Sequence, residues 1–347
     1  MKKMIALTLL ALCLVIFSLP VDCKAQKHTI VTEIIFPASH PRLGQNTVMG
    51  EWLNAVESES KGLITIERHW GGEPVPVKEA LDALGAGTID MLVTFPSWYS
   101  GKIAIGDIVA IAKNFKTVAD FYDLWWYSPL GKIMDEVYQK RANAKAIFGG
   151  PLAASSFQIS KRAKKIRHID DFKGLKIRAA GGTASQIVKY LGGSPVFLIA
   201  AEYYTGMQRG SIDAGLMATH SLQSYKMWEV SDQVVTTAPI NNNFGFVFMN
   251  YDKWNKLDAK LQGLLVDNAR KLESHAIAAV NLVDARITKM AREKGVEFYA
   301  LPPEDEAKMW ELVEPIWDSY VDSCSKQGLG EEGKQVREII GKRFSAQ

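Results

Sequence analysis

The stretch Asp171-Phe-Lys-Gly-Leu-Lys-Ile-Arg178-Ala-Ala-Gly-Gly182 decides the reading of this chain. A short strand-like run ends in a permanent cation, and a glycine pair and a helix-like segment follow at once. A guanidinium so placed can grip a carboxylate through two parallel hydrogen bonds. The start of the next helix adds a field that favours anions. Taken alone, Arg178 reads as a surface arginine closing a strand; its neighbours reverse that reading.

The middle of the chain echoes its beginning. Lys61-Gly-Leu-Ile-Thr-Ile66 returns as Lys173-Gly-Leu-Lys-Ile177, and each is followed by a glycine pair, Gly71-Gly72 or Gly181-Gly182. A helical stretch then ends in one tetrapeptide type, Gly87-Thr-Ile-Asp90 or Gly210-Ser-Ile-Asp213. That order is a βαβ unit used twice, so two α/β lobes of similar design are predicted. Gly85-Ala-Gly87 follows a helix and precedes a strand, the wrong order for a phosphate loop, and reads as a helix cap. Asn241–Asn250 alternates around Phe244, Phe246 and Phe248 and reads as a strand.

From Asp258 to Gly295 apolar residues recur at helical spacing (Leu261, Leu265, Leu272, Ala276, Val283, Ile287). One helix of roughly 35 residues would be about 50 Å long, more than one lobe, and would run across both. Two shorter helices are the alternative. The fold class is therefore α/β and two-lobed, with a central ligand cleft and a long hinge-spanning helix. Lobe 1 is placed at 26–153 plus 240–272, lobe 2 at 154–239 plus 273–300, and C-terminal helices at 301–347. The chain is expected to cross between lobes near 150–156 and 238–244.

Residues 1–25 read as a secretory signal, with Lys2 and Lys3 before an apolar run from Met4 to Phe17, and cleavage after Ala25. A lipid anchor at Cys23 is not expected, because Pro20-Val21-Asp22 lacks the small residues that precede a lipidated cysteine. No later segment approaches the roughly 20 apolar residues of a membrane helix. An exported, soluble product with Cys324 as its single thiol has no internal disulfide. The net charge of +3 moves closer to neutral once the signal leaves, which argues against nucleic acid or membrane partners. Histidines 28, 40, 69, 168, 220 and 275 are scattered, and no hydrolase motif or Cys/His cluster occurs. Neither catalysis, metal nor cofactor is expected.

Beyond these readings, the chain resembles the DctP-type solute-binding proteins of tripartite ATP-independent periplasmic (TRAP) transporters. The likeness runs from His40-Pro41 through Gly87-Thr-Ile-Asp90 and Asp171–Arg178. It continues with Leu191-Gly-Gly-Ser-Pro195, Ala201-Glu-Tyr-Tyr204, Gly210-Ser-Ile-Asp213 and Asn250. It implies a periplasmic-binding-protein-like fold, and it implies that Arg178 pairs with a solute carboxylate while Gln158 supplies a second polar contact. It also implies a periplasmic location and delivery of the solute to the integral-membrane subunits of a TRAP permease. A ligand sensor that shows its closed form to a receptor is the alternative.

Where sialic-acid-binding relatives carry an aromatic and an asparagine, this chain has Ala200 and Met217. The pattern Asp-Gly-x-Glu-Asn is replaced by Asp213-Ala-Gly-Leu-Met217. That change removes polar recognition of a hydroxylated solute and weakens the case for a bridging metal. Met217 is soft and apolar and suits a compact or aromatic acid. Phe36 and His40 lie where the first strand meets the cleft. Thr94, Phe95 and Trp98 follow the strand after Asp90, at the edge where ligands of α/β sheets gather. Trp98 either stacks on the solute or packs under its own loop; His220 either faces the cleft or caps a helix. Asn243 and Phe244 are candidates for one wall. The expected guest is a small organic anion, a carboxylate with an aromatic acid favoured or a sulfonate, held by a monomer.

Overall fold

The computed structural model describes residues 26–345, apart from 113, 114, 116, 199, 237–239 and 241. The signal segment and Cys23 lie outside the described residues. Ten strands make up two sheets that share one long strand. They are β1 (His28–Ile34), β2 (Ile64–Trp70), β3 (Met91–Thr94), β4 (Ala144–Ser160) and β5 (Lys176–Arg178). The remainder are β6 (Ser194–Val196), β7 (Ala214–Ala218), β8 (Ser231–Thr236), β9 (Asn242–Asn250) and β10 (Glu297–Ala300).

The first sheet runs β2-β1-β3-β9-β4 and the second β6-β5-β7-β4-β8-β10. Along β4 the partner changes: residues up to Ala154 pair with β9, Ser155–Ile159 pair with β7, and residues 157–160 pair with β8. The chain returns to the first lobe between Thr236 and Asn242. Ile30, Ile34, Trp52, Leu53 and Val93 form an apolar cluster in the first lobe, and Tyr203, Met207, Ile212, Val234 and Ile287 one in the second; a larger cluster runs through both, from Phe121 and Phe246 to Phe157 and Ile177.

The repeated tetrapeptide has a physical cause. Gly87 and Gly210 adopt left-handed backbone at φ 76° and 75°, a conformation that glycine reaches without a Cβ penalty. Three residues later the aspartate turns back on the neighbouring strand. Asp90 Oδ2 accepts from the Val31 N–H at 2.9 Å, and Asp213 Oδ2 accepts from the Lys176 N–H at 2.8 Å. The motif thus ends a helix and pins the next strand in parallel register.

The other half of the echo joins strands that are not equivalent. In strand order β1 corresponds to β5 and β2 to β6, since β1 and β5 are the central members of 2-1-3 and 6-5-7. Lys61–Ile66 leads into β2, whereas Lys173–Ile177 leads into β5. A Lys-Gly-Leu turn suits entry to any short buried strand, so its recurrence carries no topological information.

The helical stretch beyond Asp258 is one path in two segments. Ala259–Lys271 begins where Asp258 accepts from the Leu261 N–H at 2.9 Å, and Glu273–Glu293 begins after Leu272. The first segment packs on the first lobe, with Trp52 Nε1 donating to the Leu265 carbonyl at 3.1 Å. The second places Ile287 and Ala291 in the core of the second lobe. Three C-terminal helices then strap the lobes together. Pro303–Val313 meets the second lobe through Lys308–Asp170 and His168–Asp305. Ile316–Lys326 and Gly330–Ser345 lie on the first lobe, where Tyr320 bonds the Ile105 carbonyl and Arg343 pairs with Asp120. Among the described residues no helix is long and apolar enough to cross a membrane.

Candidate functional site: a cavity between the lobes

Arg178 ends β5, paired with Val196 on one side and Gly215 on the other, so its side chain reaches beyond the carboxyl ends of three parallel strands. Ligands of open α/β sheets gather at such an edge. The residue is only 5 % exposed. Its Nε donates to the Leu198 carbonyl at 3.1 Å and Nη1 to the Leu216 carbonyl at 3.2 Å. No carboxylate among the described residues pairs with it. Burial lowers its pKa, opposed by the nearby Tyr203 and Tyr225. The guanidinium keeps its charge, which is desolvated and uncompensated.

The ring of Tyr203 lies beneath the guanidinium, 5.6 Å from it. Its hydroxyl donates to Gln158 Oε1 and to the Gly215 carbonyl, both at 3.3 Å. Gln158 Nε2 in turn donates to Ser221 Oγ at 2.6 Å. Arg178 therefore rests on a fixed, hydrogen-bonded platform.

In front of it is a cavity of about 150 Å³. Phe36, His40, Phe95 and Trp98 line it from the first lobe, and Arg178, Met217, His220 and Tyr225 from the second, with Ser155 of β4 between them. Five rings form a continuous row from the rim to the far lobe. Trp98 meets Phe95 at 5.0 Å, Phe95 meets Phe36 at 5.1 Å, Phe36 meets His40 at 5.2 Å, and His40 meets His220 at 5.0 Å. Trp98 remains 47 % exposed at the mouth.

Both histidines are neutral. His40 Nδ1 accepts from the Arg42 and Leu43 N–H groups at 3.3 and 3.1 Å, which leaves its proton on Nε2. Burial, and then the charge of Arg42, push His40 down to about 4; burial first, and then Arg42, hold His220 well below its ordinary value. Arg42 itself is buried and ion-paired with Asp284 on the helix Glu273–Glu293.

Seven of the eleven residues singled out in the sequence meet at this cavity: Arg178, Trp98, Met217, Phe36, His40, Phe95 and His220. Three lie elsewhere. Gln158 is fully buried and its amide is bonded on both sides. Its register explains why: it lies opposite Gly215, which lies opposite Arg178, so all three are level, and only the longer arginine reaches past the strand ends. Thr94 is buried against the Tyr99 hydroxyl at 3.2 Å. Phe244 stacks on Phe121 at 4.1 Å in the first lobe's interior. The side chains of Asn243 and Ala200 lie outside the described residues. Tyr225 and Ser155 were missed, since nothing in their sequence surroundings sets them apart from ordinary turn and strand residues. Among the described residues no group of acidic, histidine or cysteine side chains could hold a metal ion.

Two lobes, one shared strand and a cavity with a buried cation at the strand ends define a protein that encloses a small solute. Residues 37–323 match the family described as bacterial extracellular solute-binding protein, family 7 (DctP). The chain belongs to that family. It is 23 % identical over 281 residues to a solute-binding protein of Albidiferax ferrireducens, a match that covers 78 % of this chain and 80 % of the relative. A TRAP periplasmic solute-binding protein from Desulfovibrio salexigens with bound orotic acid has the same fold, at TM-score 0.81 and 20 % identity, over 92 % of this chain and 99 % of that one. An apo open structure of a Rhodobacter sphaeroides TRAP solute-binding protein superposes with TM-score 0.72 at 22 % identity, over 92 % and 98 % of the two chains.

Proposed function

We propose that this protein is an exported, periplasmic receptor that captures a small organic acid anion on Arg178 and delivers it to a TRAP permease. The observation that carries the reading is the guanidinium itself. It is almost wholly withdrawn from water, has no carboxylate partner among the described residues, and faces a cavity between the lobes. A buried unpaired cation is costly, and an entering carboxylate removes that cost while forming two charge-assisted bonds.

The cavity bounds the guest. At about 150 Å³ it equals the volume known to hold one benzene ring. Its walls are aromatic and apolar apart from Arg178, Ser155, Tyr225 and the two histidines. These features favour a compact, flat monocarboxylate; a small sulfonate presents the same charge and similar oxygens. The orotic acid in the Desulfovibrio salexigens structure is an acid of this kind. The protein acts as a monomer that closes on its solute and then docks, closed, on the permease.

A thermal-shift screen over small carboxylates, aromatic acids and sulfonates tests this. A guest at a hundred times its Kd adds about 2.7 kcal/mol of stability. The expected outcome is a shift with one or a few compact acids that is lost in Arg178→Lys, whose point charge cannot replace the planar fork. A shift that survives the substitution contradicts the reading.

A further inference from the structure

The turn that follows β1 fixes what His40 can offer a solute. The His40 N–H donates to the Pro37 carbonyl at 2.8 Å, and the His40 carbonyl accepts from the Gly44 N–H at 3.0 Å. Gly44 lets the turn close this tightly, since a Cβ there would lie 2.4 Å from the His40 carbonyl oxygen. Pro41 has no N–H to give, and the next two amides, those of Arg42 and Leu43, both donate to His40 Nδ1. An imidazole nitrogen that accepts carries no proton, so the ring proton is on Nε2. That atom lies on the side of the ring away from the turn. The sequence Ser39-His40-Pro41-Arg42-Leu43-Gly44 thus builds a donor whose sign is set by its own backbone.

His40 is 8 % exposed and lines the solute cavity. No acceptor among the described residues takes its Nε2 proton. Phe36, which packs on it, is hydrocarbon. His220 meets it edge to face and lines the same cavity, and His220 Nδ1 is buried with no partner. These two rings form a polar place separate from the clamp. The charge that reaches both imidazoles is that of Arg42, whereas Tyr225 is the cavity residue that feels Arg178. A donor enclosed without an acceptor is costly, so a guest that supplies one is favoured.

We propose that His40 is the second recognition contact of the site, donating its Nε2–H to the solute, and that the solute is a planar carboxylate bearing a ring nitrogen or carbonyl oxygen away from its carboxylate. This rests on the solute-binding reading and narrows it. It also supplies the second polar contact expected of Gln158, whose amide is spent inside the sheet. A fixed donor discriminates by sign. An oxygen or an unprotonated ring nitrogen completes the bond, a C–H leaves it unmade, and an ammonium group is repelled.

Benzoate, nicotinate and isonicotinate test this, because they share one shape and one carboxylate and differ in a single C–H or N. In calorimetric titrations at pH 8, at least one of the two pyridine acids should bind wild type about ten-fold tighter than benzoate. In His40→Asn, whose side-chain oxygen still accepts from the Arg42 and Leu43 amides, that preference should vanish. Nitrogen-15 NMR of histidine-labelled wild type reads the same contact without a variant. Solute-free His40 should carry its proton on Nε2, and that signal should shift when the preferred pyridine acid is added.

A proton on Nδ1, equal binding of the three acids, binding of none of them, or a preference that survives in His40→Asn overturns the proposal. If His40→Asn does not fold, the wild-type preference and the NMR decide it. Arg178→Met keeps the clamp a separate question. Three acids that bind wild type equally and are all lost in Arg178→Met remove His40 and leave the clamp. Binding that ignores Arg178→Met removes the clamp whatever His40 does, and if none of the three binds, the wider screen of acids judges the clamp.

Discussion

Tyr203 fits beneath Arg178 because residue 215 has no side chain: a Cβ there would lie 2.2 Å from the Tyr203 ring. In Gly215→Ala the ring has to move, and the arginine loses its seat. Overpacking of this kind costs about 1–3 kcal/mol. Chemical denaturation should show that loss, and calorimetry should show acid affinity falling by about ten-fold or more. Unchanged affinity would mean that Arg178 does not depend on Tyr203. The same scale shows where sequence reasoning stops. The place of Arg178 at the cavity is legible because it ends a short strand at the carboxyl edge of the sheet, where such cavities form. The role of Gln158 is not, because strand period places a residue on a face and not at a depth. Whether an amide is spent inside the sheet depends on Tyr203 and Ser221, which lie 45 and 63 residues away in the chain.

At the level of elements, the Gly-Thr-Ile-Asp and Gly-Ser-Ile-Asp turns do parallel work on different strands. Asp90 holds β1 and Asp213 holds β5. Replacing either with alanine removes a charge-assisted bond to a strand amide and should cost about 1.5–3 kcal/mol. Only Asp213→Ala should also weaken solute binding, since Lys176 is two residues from Arg178; equal effects on affinity would show that strand register is not what places the guanidinium. These turns could be found in the sequence because the glycine and the aspartate are each required locally. The correspondence of strands could not, as the Lys-Gly-Leu echo shows, because pairing is settled by the sheet. The bend at Leu272 is equally silent: apolar spacing continues through it without a proline or glycine to mark it.

For the whole molecule, the fold brings together groups that are far apart in the chain. His40 meets His220, and Arg42 meets Asp284. The pH dependence of stability follows. The unfolded chain takes up a proton at His40 near pH 6.5, while the folded protein resists until about 4. Between those values the unfolded state binds more protons, so this histidine's contribution falls as pH drops from 6.5 toward 4. His40→Asn keeps an acceptor for the Arg42 and Leu43 amides and cannot titrate, so its melting temperature should vary less than wild type over that window. A slope equal to wild type would show that His40 is not enclosed. Such pairings leave no trace in one sequence, which is why the cavity's row of rings was legible only as separate candidates.

The clamp itself is tested most directly by a coupling free energy. Calorimetric titration of wild type and Arg178→Met with the best-stabilising acid and with its neutral carboxamide closes a thermodynamic cycle. A guanidinium bound to the carboxylate predicts a coupling of about 2–3 kcal/mol, with the amide indifferent to the substitution. Losses that add to within about 0.5 kcal/mol would place the acid's charge away from Arg178 and contradict the account.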